Sequence, residues 1–433
     1  MCGIVGVIGR ANAAECLLEG LRRLEYRGYD SAGIATLVDG VIDRRRAPGK
    51  IVNLADRIQA EPLAGTLGIG HTRWATHGVP SEGNAHPHSD GRVAVVHNGI
   101  IENFQELRDV LENDGHTFDS ETDTEVVVHL VSQFLSEGRA PEDAVHAALK
   151  RLEGAFSLAI LITDAPDALF GARRGSPLVV GYGDGEMYLG SDAMALAPMT
   201  QRITYLEEDD WVVVTREGAQ VRDAAGKLAN RPIKQTALSG ALIGKGEYPH
   251  YMLKEIYEQP QVLGDTLRAL FNPAERSITL PPMPFALKDV DRITTVACGT
   301  AYYAGLIAKY WIEMLAKVPV DADIGSEFRY RTPPMTPGGL GLFISQSGET
   351  ADTLAPLRYC REQGQHILSV VNVPESSVAR ESDIVLPTLA GPEIGVASTK
   401  AFTTQLMALA CFAINLAKAR GVIGADVEAR LST

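Results

Sequence analysis

Cys2 follows the initiator methionine at once, at the head of the apolar, strand-like run MCGIVGVIGR. A small second residue favours removal of Met1, which would leave Cys2 as the N-terminus. An α-amine with a pKa near ~7.8 and a thiol near ~8.5 are close enough for one to take the other's proton at neutral pH. One residue would then supply both nucleophile and base. The ordinary alternative, a small buried residue at a strand start, needs only Cys2 itself, so other residues must decide. A thiolate that attacks an amide creates an oxyanion, which needs donors already aimed at it. Asn98 and Gly99 in VVHNGIIENF (95–104) offer a side-chain amide and a backbone N–H. Asn-Gly is also the strongest short hairpin signal, and the dipeptide alone leaves both readings open. Arg73 in GHTRWATHG (70–78) can grip a carboxylate with two parallel hydrogen bonds, and Asp123 in SETDTE (120–125) can pair with an ammonium. Together they could hold an amino acid by its main-chain ends, although each taken singly reads as a surface ion pair. His71, His77, His86, His88 and His97 lie nearby without completing a ligand pattern with the local carboxylates, so no metal is expected.

A second constellation lies downstream. ISQSGET (344–350) follows a predicted strand and opens a predicted helix, placing hydroxyls and backbone N–H groups where an anion would meet the positive helix end. ACGTAYY (297–303) and VASTK (396–400) repeat the arrangement at two more junctions. Any one of them reads as an ordinary helix N-cap. Three in one alternating region point to a phosphate.

These groups need frames to hold them. At 433 residues the chain exceeds what one core usually supports, so two or three domains are expected. With 45% hydrophobic and 22% charged residues the balance is that of a soluble globular protein. The formal charge of −14 argues against nucleic acid as a partner, and the basic run DRRRAPGK (43–50) reads as a solvated hairpin end. The five cysteines (2, 16, 298, 360, 411) never form a CxxC pair, so neither a disulfide framework nor a zinc site is suggested. No stretch reads as membrane-spanning: the richest, LMALACFAI (406–414), stops at Asn415. The opening run lacks the basic start of a secretory signal, and a cytoplasmic protein is expected.

The first ~235 residues mix strands and helices without a βαβ rhythm, which predicts an α+β layered domain of antiparallel sheets covered by helices. Strands are predicted at GIVGVIG, AGIATLVDGVI, RVAVVHNGII, AFSLAILITD, PLVVGYGDGEMYLGS and WVVVTREGAQV, and helices at 11–24, 103–113 and 121–137. Residues 236–288, polar and rich in proline, read as a linker with one helix. From 289 to 433, RITTVACG, GLGLFIS, HILSVVNV and DIVLPT alternate with helices, as a doubly wound parallel α/β domain does.

CGIVGV, LEYRGYDSAG, HTRWATHG, HNGIIEN and SETDTE resemble the glutaminase domain of glutamine-dependent amidotransferases, which are N-terminal-nucleophile hydrolases. Combined with SQSGETADT and EIGVASTKAFTTQ, they resemble the glutamine–fructose-6-phosphate aminotransferase family, also called glucosamine-6-phosphate synthases, over nearly the whole chain. The resemblance implies an αββα glutaminase domain over 1–235 and a first sugar-isomerase (SIS) domain over 289–433. It implies that Cys2 attacks the carboxamide of glutamine, that Asn98 and Gly99 form the oxyanion hole, and that Arg73, Thr76, His77 and Asp123 bind glutamine, with Trp74 part of a gate. Thr300, Ser345, Gln346, Ser347, Thr350 and Ser398 would line a fructose 6-phosphate site. The family often has Ser where this chain has Ala301, and Lys400 could add charge near the phosphate. No cofactor is implied, and a homodimer is. The family's second sugar-isomerase half is not recognisable in the sequence, so glutamine hydrolysis and sugar-phosphate binding are expected without complete transfer. Two other readings are an amidotransferase acting on a phosphoribosyl donor, for which no acidic-flanked pyrophosphate loop is found, and a regulatory protein that binds sugar phosphate.

Overall fold

Along Val93–Ile101 the side chains alternate between two cores, Val93 and Val95 entering one and Ala94 and Val96 the other, as the period of two in a strand dictates. The whole of the first domain is built on that alternation. The computed structural model describes residues 2–25, 28–236 and 245–431 and divides into two compact units, Met1–Leu242 and Ile243–Thr433.

The first unit contains two antiparallel sheets. One runs Lys234–Gln235, Arg202–Tyr205, Val179–Tyr182, Met187–Gly190, Gly3–Ile8, Leu67–Arg73, Ser31–Val38, Val41–Pro48. The other runs Gly218–Arg222, Trp211–Thr215, Leu169–Arg174, Gly154–Ile162, Val93–Ile101, His88–Ser89. Ile4, Ile8 and Ile69 from the first meet Ala94, Val96 and Leu161 from the second in a core between the sheets. Helices Ala13–Arg22 and Ile51–Ala60 cover the outer face of the first sheet through Leu17, Leu21 and Leu54. Helices Phe104–Asn113, Glu125–Ser136 and Pro141–Leu149 cover the second through Leu107, Val127 and Val145. The expected four layers, α, β, β, α, are therefore present.

The strand predicted at RVAVVHNGII is present as Val93–Ile101, with Asn98 opposite Ser157 and Gly99 opposite Phe156, so of the two readings of Asn98-Gly99 the hairpin turn is excluded. The strand Leu67–Arg73 is central yet was not predicted, because Gly68 and Gly70 break its apolar pattern. Those glycines are required by packing: a Cβ on Gly68 would lie 2.8 Å from Ala35 O and 2.9 Å from Leu17, and one on Gly70 3.1 Å from Leu21.

In the second unit five parallel strands run in the order Val320–Ile324, Ile293–Ala297, Leu340–Ser345, His366–Val371, Ile384–Pro387. Helices Gly299–Ala316 and Lys400–Ala419 pack on one face, and Gly325–Arg331, Ala351–Glu362 and Ser377–Arg380 on the other. Val320–Ile324 was not predicted; it is an edge strand whose VDADI sequence carries two aspartates and reads as a polar turn. Helix Tyr251–Leu270, within the stretch read as a linker, packs against Lys400–Ala419 and buries Val262, Thr266 and Leu270 inside this unit.

Helix Lys400–Ala419 corrects one expectation, for it is long and apolar enough to cross a membrane by length and composition. The unbroken apolar run is short, but the alanines and threonines around it lengthen the span. Most of the helix is buried within the unit, and its first residue, Lys400, is paired with Glu258 at 2.7 Å, as suits a core helix.

Candidate active site

Antiparallel pairing of Gly3 with Thr72 sets Cys2, just before its strand, beside the end of Leu67–Arg73. The Trp74 N–H donates to Cys2 Sγ at 3.1 Å. Burial pushes the Cys2 thiol above its ordinary pKa, opposed by that N–H and by the Arg73 guanidinium. A thiol held neutral in this way needs an adjacent base before it can attack. From the facing sheet, Asn98 Nδ2 donates to the Cys2 carbonyl at 3.2 Å, while Asn98 Oδ1 lies 3.0 Å from His71 Nε2. Gly99 follows with φ of +121°, and a Cβ there would lie 2.0 Å from Ala155 O. Gly99→Ala is expected to destabilise the first unit by about 3 kcal/mol through combined clash and backbone strain. Thermal unfolding should register this as a midpoint roughly 6–12 °C lower.

Cys2, Arg73, Trp74, Thr76, His86, His97, Gly99, Thr122 and Asp123 line one narrow pocket of about 10 Å³, the room of a single water. Arg73 is 3% exposed. Its Nη2 donates to the carbonyls of His77 and Gly78, and its Nη1, also buried, has no hydrogen-bond partner among the described residues. Asp123, equally buried, accepts the Ile101 N–H through Oδ2 at 2.9 Å, with Oδ1 3.9 Å from His77 Nδ1. The pocket thus presents a sulfur, a guanidinium edge and a carboxylate within one enclosure. Thr76 and Trp74 are exposed at its rim, Trp74 lying against Gly28.

Asp30 and His71 carry no sequence signal of a role at this site. The Asp30 N–H donates to Arg73 O at 2.7 Å, and Oδ2 accepts the Ala75 N–H at 2.5 Å, so Asp30 fixes the turn that carries Arg73 and Trp74. It lies in the YRGYDS motif, but its partners are more than forty positions away and no local pattern reveals them. His71 is fully buried, with Nε2 3.0 Å from Asn98 Oδ1.

In the second unit the strand order, numbered along the chain, is 2-1-3-4-5, so the chain reverses direction across the sheet between Ile293–Ala297 and Leu340–Ser345. Ligands of such sheets bind beyond the carboxyl ends of the strands at that point. Ala297 pairs with Ile344, so the Cys298–Thr300 and Ser345–Thr350 turns leave the same edge side by side. Thr300 is exposed in the first turn of its helix. Ser345 Oγ accepts the Gly348 N–H at 2.9 Å, and Ser347 Oγ the Glu349 N–H at 3.2 Å, curling the turn; Gln346 lies half-buried between them. Gly348, at φ +64°, has no room for a Cβ, which would lie 1.9 Å from Ser376 Oγ. Thr350 holds the N-cap position of Ala351–Glu362 without using its hydroxyl as a cap. Ala301 is buried.

The third junction differs from the expectation. Glu393 accepts from the Ser398 hydroxyl at 3.0 Å and from the Thr399 and Ala401 N–H groups at 2.8 and 3.0 Å, so an internal carboxylate already occupies the start of Lys400–Ala419. Glu255 likewise accepts the Ile394 and Gly395 N–H groups, at 2.5 and 3.0 Å. Lys400, bound to Glu258, is not free to meet a phosphate. Glu393→Gln is expected to speed hydrogen exchange at the Thr399 and Ala401 amides by roughly 10- to 100-fold, the loss of charge-assisted bonds. Unchanged exchange would mean that the carboxylate does not hold this turn.

Residues 71–198 match the glutamine amidotransferase domain family, and residues 286–415 match the SIS domain family. A glutamine–fructose-6-phosphate aminotransferase (isomerizing) of Zymomonas mobilis is 60% identical over 428 residues, spanning 99% of this chain and 70% of that protein. The protein of that name from Bradyrhizobium diazoefficiens is 58% identical over 432 residues, 100% of this chain and 71% of its own, and that of Gluconobacter oxydans 54% identical over 433, again 100% and 71%. With such identity along its whole length, the chain belongs to the glutamine–fructose-6-phosphate aminotransferase (isomerizing) family.

Proposed function

We propose that the first unit cleaves the side-chain amide of glutamine at Cys2, and that the second binds fructose 6-phosphate as acceptor of the released nitrogen, for conversion to glucosamine 6-phosphate. The observation that carries the reading is Arg73, a buried cation whose Nη1 has no partner among the described residues in the pocket that holds Cys2. A buried guanidinium left half-satisfied is costly, and a carboxylate presented in the plane of the fork relieves it. The α-carboxylate of an amino acid is such a group, with Asp123 for its ammonium. Trp74, Thr76 and His77 belong to the adjoining wall, which must yield for a substrate larger than water to enter. The Cys2 thiolate attacks the amide carbon, and the negative charge that develops on its oxygen is met by Asn98 Nδ2 and the Gly99 N–H. Collapse forms a thioester and expels ammonia, which takes the proton lost by the thiol; water then cleaves the thioester to glutamate and restores Cys2. Ammonia must reach its acceptor unprotonated, so water exclusion is a chemical requirement.

Arg73→Met is expected to raise the KM for glutamine by roughly 10²- to 10³-fold with little change in kcat, since the contact exists in ground and transition states alike. Steady-state glutamate release measures it; an unaltered KM removes Arg73 from the binding site. For the acceptor, Ser347→Ala is expected to weaken fructose 6-phosphate binding by about tenfold in titration calorimetry, the loss of one hydrogen bond to a charged group. The switch-point location of the Ser345–Thr350 turn, with Thr300 on the neighbouring junction, supports that assignment; Ser398, engaged with Glu393, is proposed only to steady the adjoining loop. We also propose a homodimer, supported by the exposed stripe of Tyr303, Tyr310 and Met314 along one side of Gly299–Ala316. Light scattering tests it, and a monomeric mass would refute it.

A further inference from the structure

An amide side chain is useful to an oxyanion only in one of its two orientations, because the other presents a carbonyl oxygen to developing negative charge. Asn98 is held from both ends. Its Nδ2 faces the carbonyl of Cys2 at 3.2 Å, and its Oδ1 faces His71 Nε2 at 3.0 Å. A backbone carbonyl only accepts, so the nitrogen lies on the Cys2 side and the oxygen toward His71. His71 Nε2 must therefore carry a proton and donate. The ring is completely buried, and burial drives its pKa down to about 3, so it is neutral at physiological pH with a single N–H. The ring is held in turn by its neighbours: His86 packs on it tilted by 32° with centroids 4.4 Å apart, and His88 packs edge-on against His86 at 4.8 Å. His86 is itself fixed through Nε2 to Thr124 Oγ1 at 3.0 Å. The two orientations of the Asn98 amide are thus distinguished by a donor on Leu67–Arg73 at one end and by the Cys2 carbonyl at the other.

We propose that His71 is a positioning residue for amide cleavage, holding the Asn98 side chain in the one orientation that aims its N–H groups at the Cys2 reaction centre. The inference rests on the oxyanion role given to Asn98 above, and it can fail while that role stands. Glutamate release is compared in the full chain for Asn98→Ala, His71→Asn, His71→Gln and the double variant His71→Asn with Asn98→Ala. Loss of one oxyanion donor typically lowers kcat by about 10²- to 10³-fold, and Asn98→Ala is expected in that range. His71→Asn keeps polarity but is too short to reach Asn98 Oδ1, and is expected to lower kcat by roughly 30-fold or more while KM stays within about threefold. His71→Gln can extend its amide N–H to the same oxygen and is expected to keep kcat within about tenfold of the parent. The double variant should be no slower than Asn98→Ala by more than about twofold, since the two residues act as a unit. Both His71 substitutions remove the same packed ring, so a merely structural role would lower the two alike. Equal kcat for His71→Asn and His71→Gln, or full additivity in the double variant, overturns the positioning role. If instead Asn98→Ala retains its kcat, the oxyanion assignment falls and this inference with it.

Discussion

Cys2→Ala is expected to abolish glutamate release, lowering kcat by at least about 10⁴-fold, as removal of a nucleophile that acts with its own base does. The effect should be confined to chemistry. Cys2 lies ahead of its strand, the contact of its sulfur is with the Trp74 backbone, and the alanine side chain fits the same space, so unfolding should shift little. Burial raises the thiol pKa, so the sulfur is a poor nucleophile unless a base is at hand. Loss of Met1, which lies outside the described residues, would provide that base as the α-amine of Cys2. Protein that retains Met1, as checked by intact mass, should therefore be nearly as inactive as Cys2→Ala. Full activity with methionine in place would refute the self-activated nucleophile.

Mild acid should destabilise the first unit far more than its surface charge suggests. His71, His86, His88 and His97 are all buried; burial drives His71 and His88 down to about 3, with His86 and His97 also held below the ordinary 6.5. Each of these groups is depressed in the folded state, so between pH 6.5 and about 3 the unfolded chain binds more protons than the folded one. Stability then rises with pH, and falls as pH drops from 6.5, by about 1.4 kcal/mol per pH unit for each such proton. His71 and His88 alone give a limiting slope of roughly 3 kcal/mol per unit, steep against a usual stability of 5–15 kcal/mol. Glu125 adds to the loss in a lower window. Burial works to raise its pKa, but His129, Ser120 and the Asp119 N–H bring it down to about 2, so its stabilisation is lost as pH falls from the ordinary 4.5 toward 2. Urea midpoints at pH 7.5, 6.0 and 5.0 should fall progressively, and His88→Gln should make the decline shallower by about one proton's worth. A midpoint independent of pH over this range would show that these rings stay neutral in the unfolded chain as well, or that they are not buried.

The chemistry was more legible than the frame. The cysteine at the chain start, Arg73 and Asp123 were recognisable because nucleophile, guanidinium and carboxylate are residue types with few substitutes. The two-domain division was legible because a shift from hairpins to alternating strands and helices survives in the apolar pattern. What escaped were elements whose residues answer to neighbours far along the chain. Leu67–Arg73 is hidden by glycines that a helix and an adjoining strand demand, and Val320–Ile324 by two edge aspartates, Asp321 exposed and Asp323 paired with Arg331. Asp30 and His71 escaped for the same reason, since their partners at Ala75 and Asn98 are 45 and 27 residues distant.

By itself the sequence determined which groups exist and the period on which each is repeated: a thiol, an amide, a guanidinium and a carboxylate in one half, and hydroxyl-rich turns after apolar strands in the other. The tertiary structure alone decided which of them meet. It decided that Asn98 faces Cys2 across the sheets, left one edge of the Arg73 guanidinium unpartnered among the described residues in a closed pocket, and set the Glu393 carboxylate at the third helix start. Propensity and period act over a few residues, whereas register, burial and hydrogen-bond satisfaction are settled between segments tens of residues apart, where only packing in three dimensions assigns each polar group its partner.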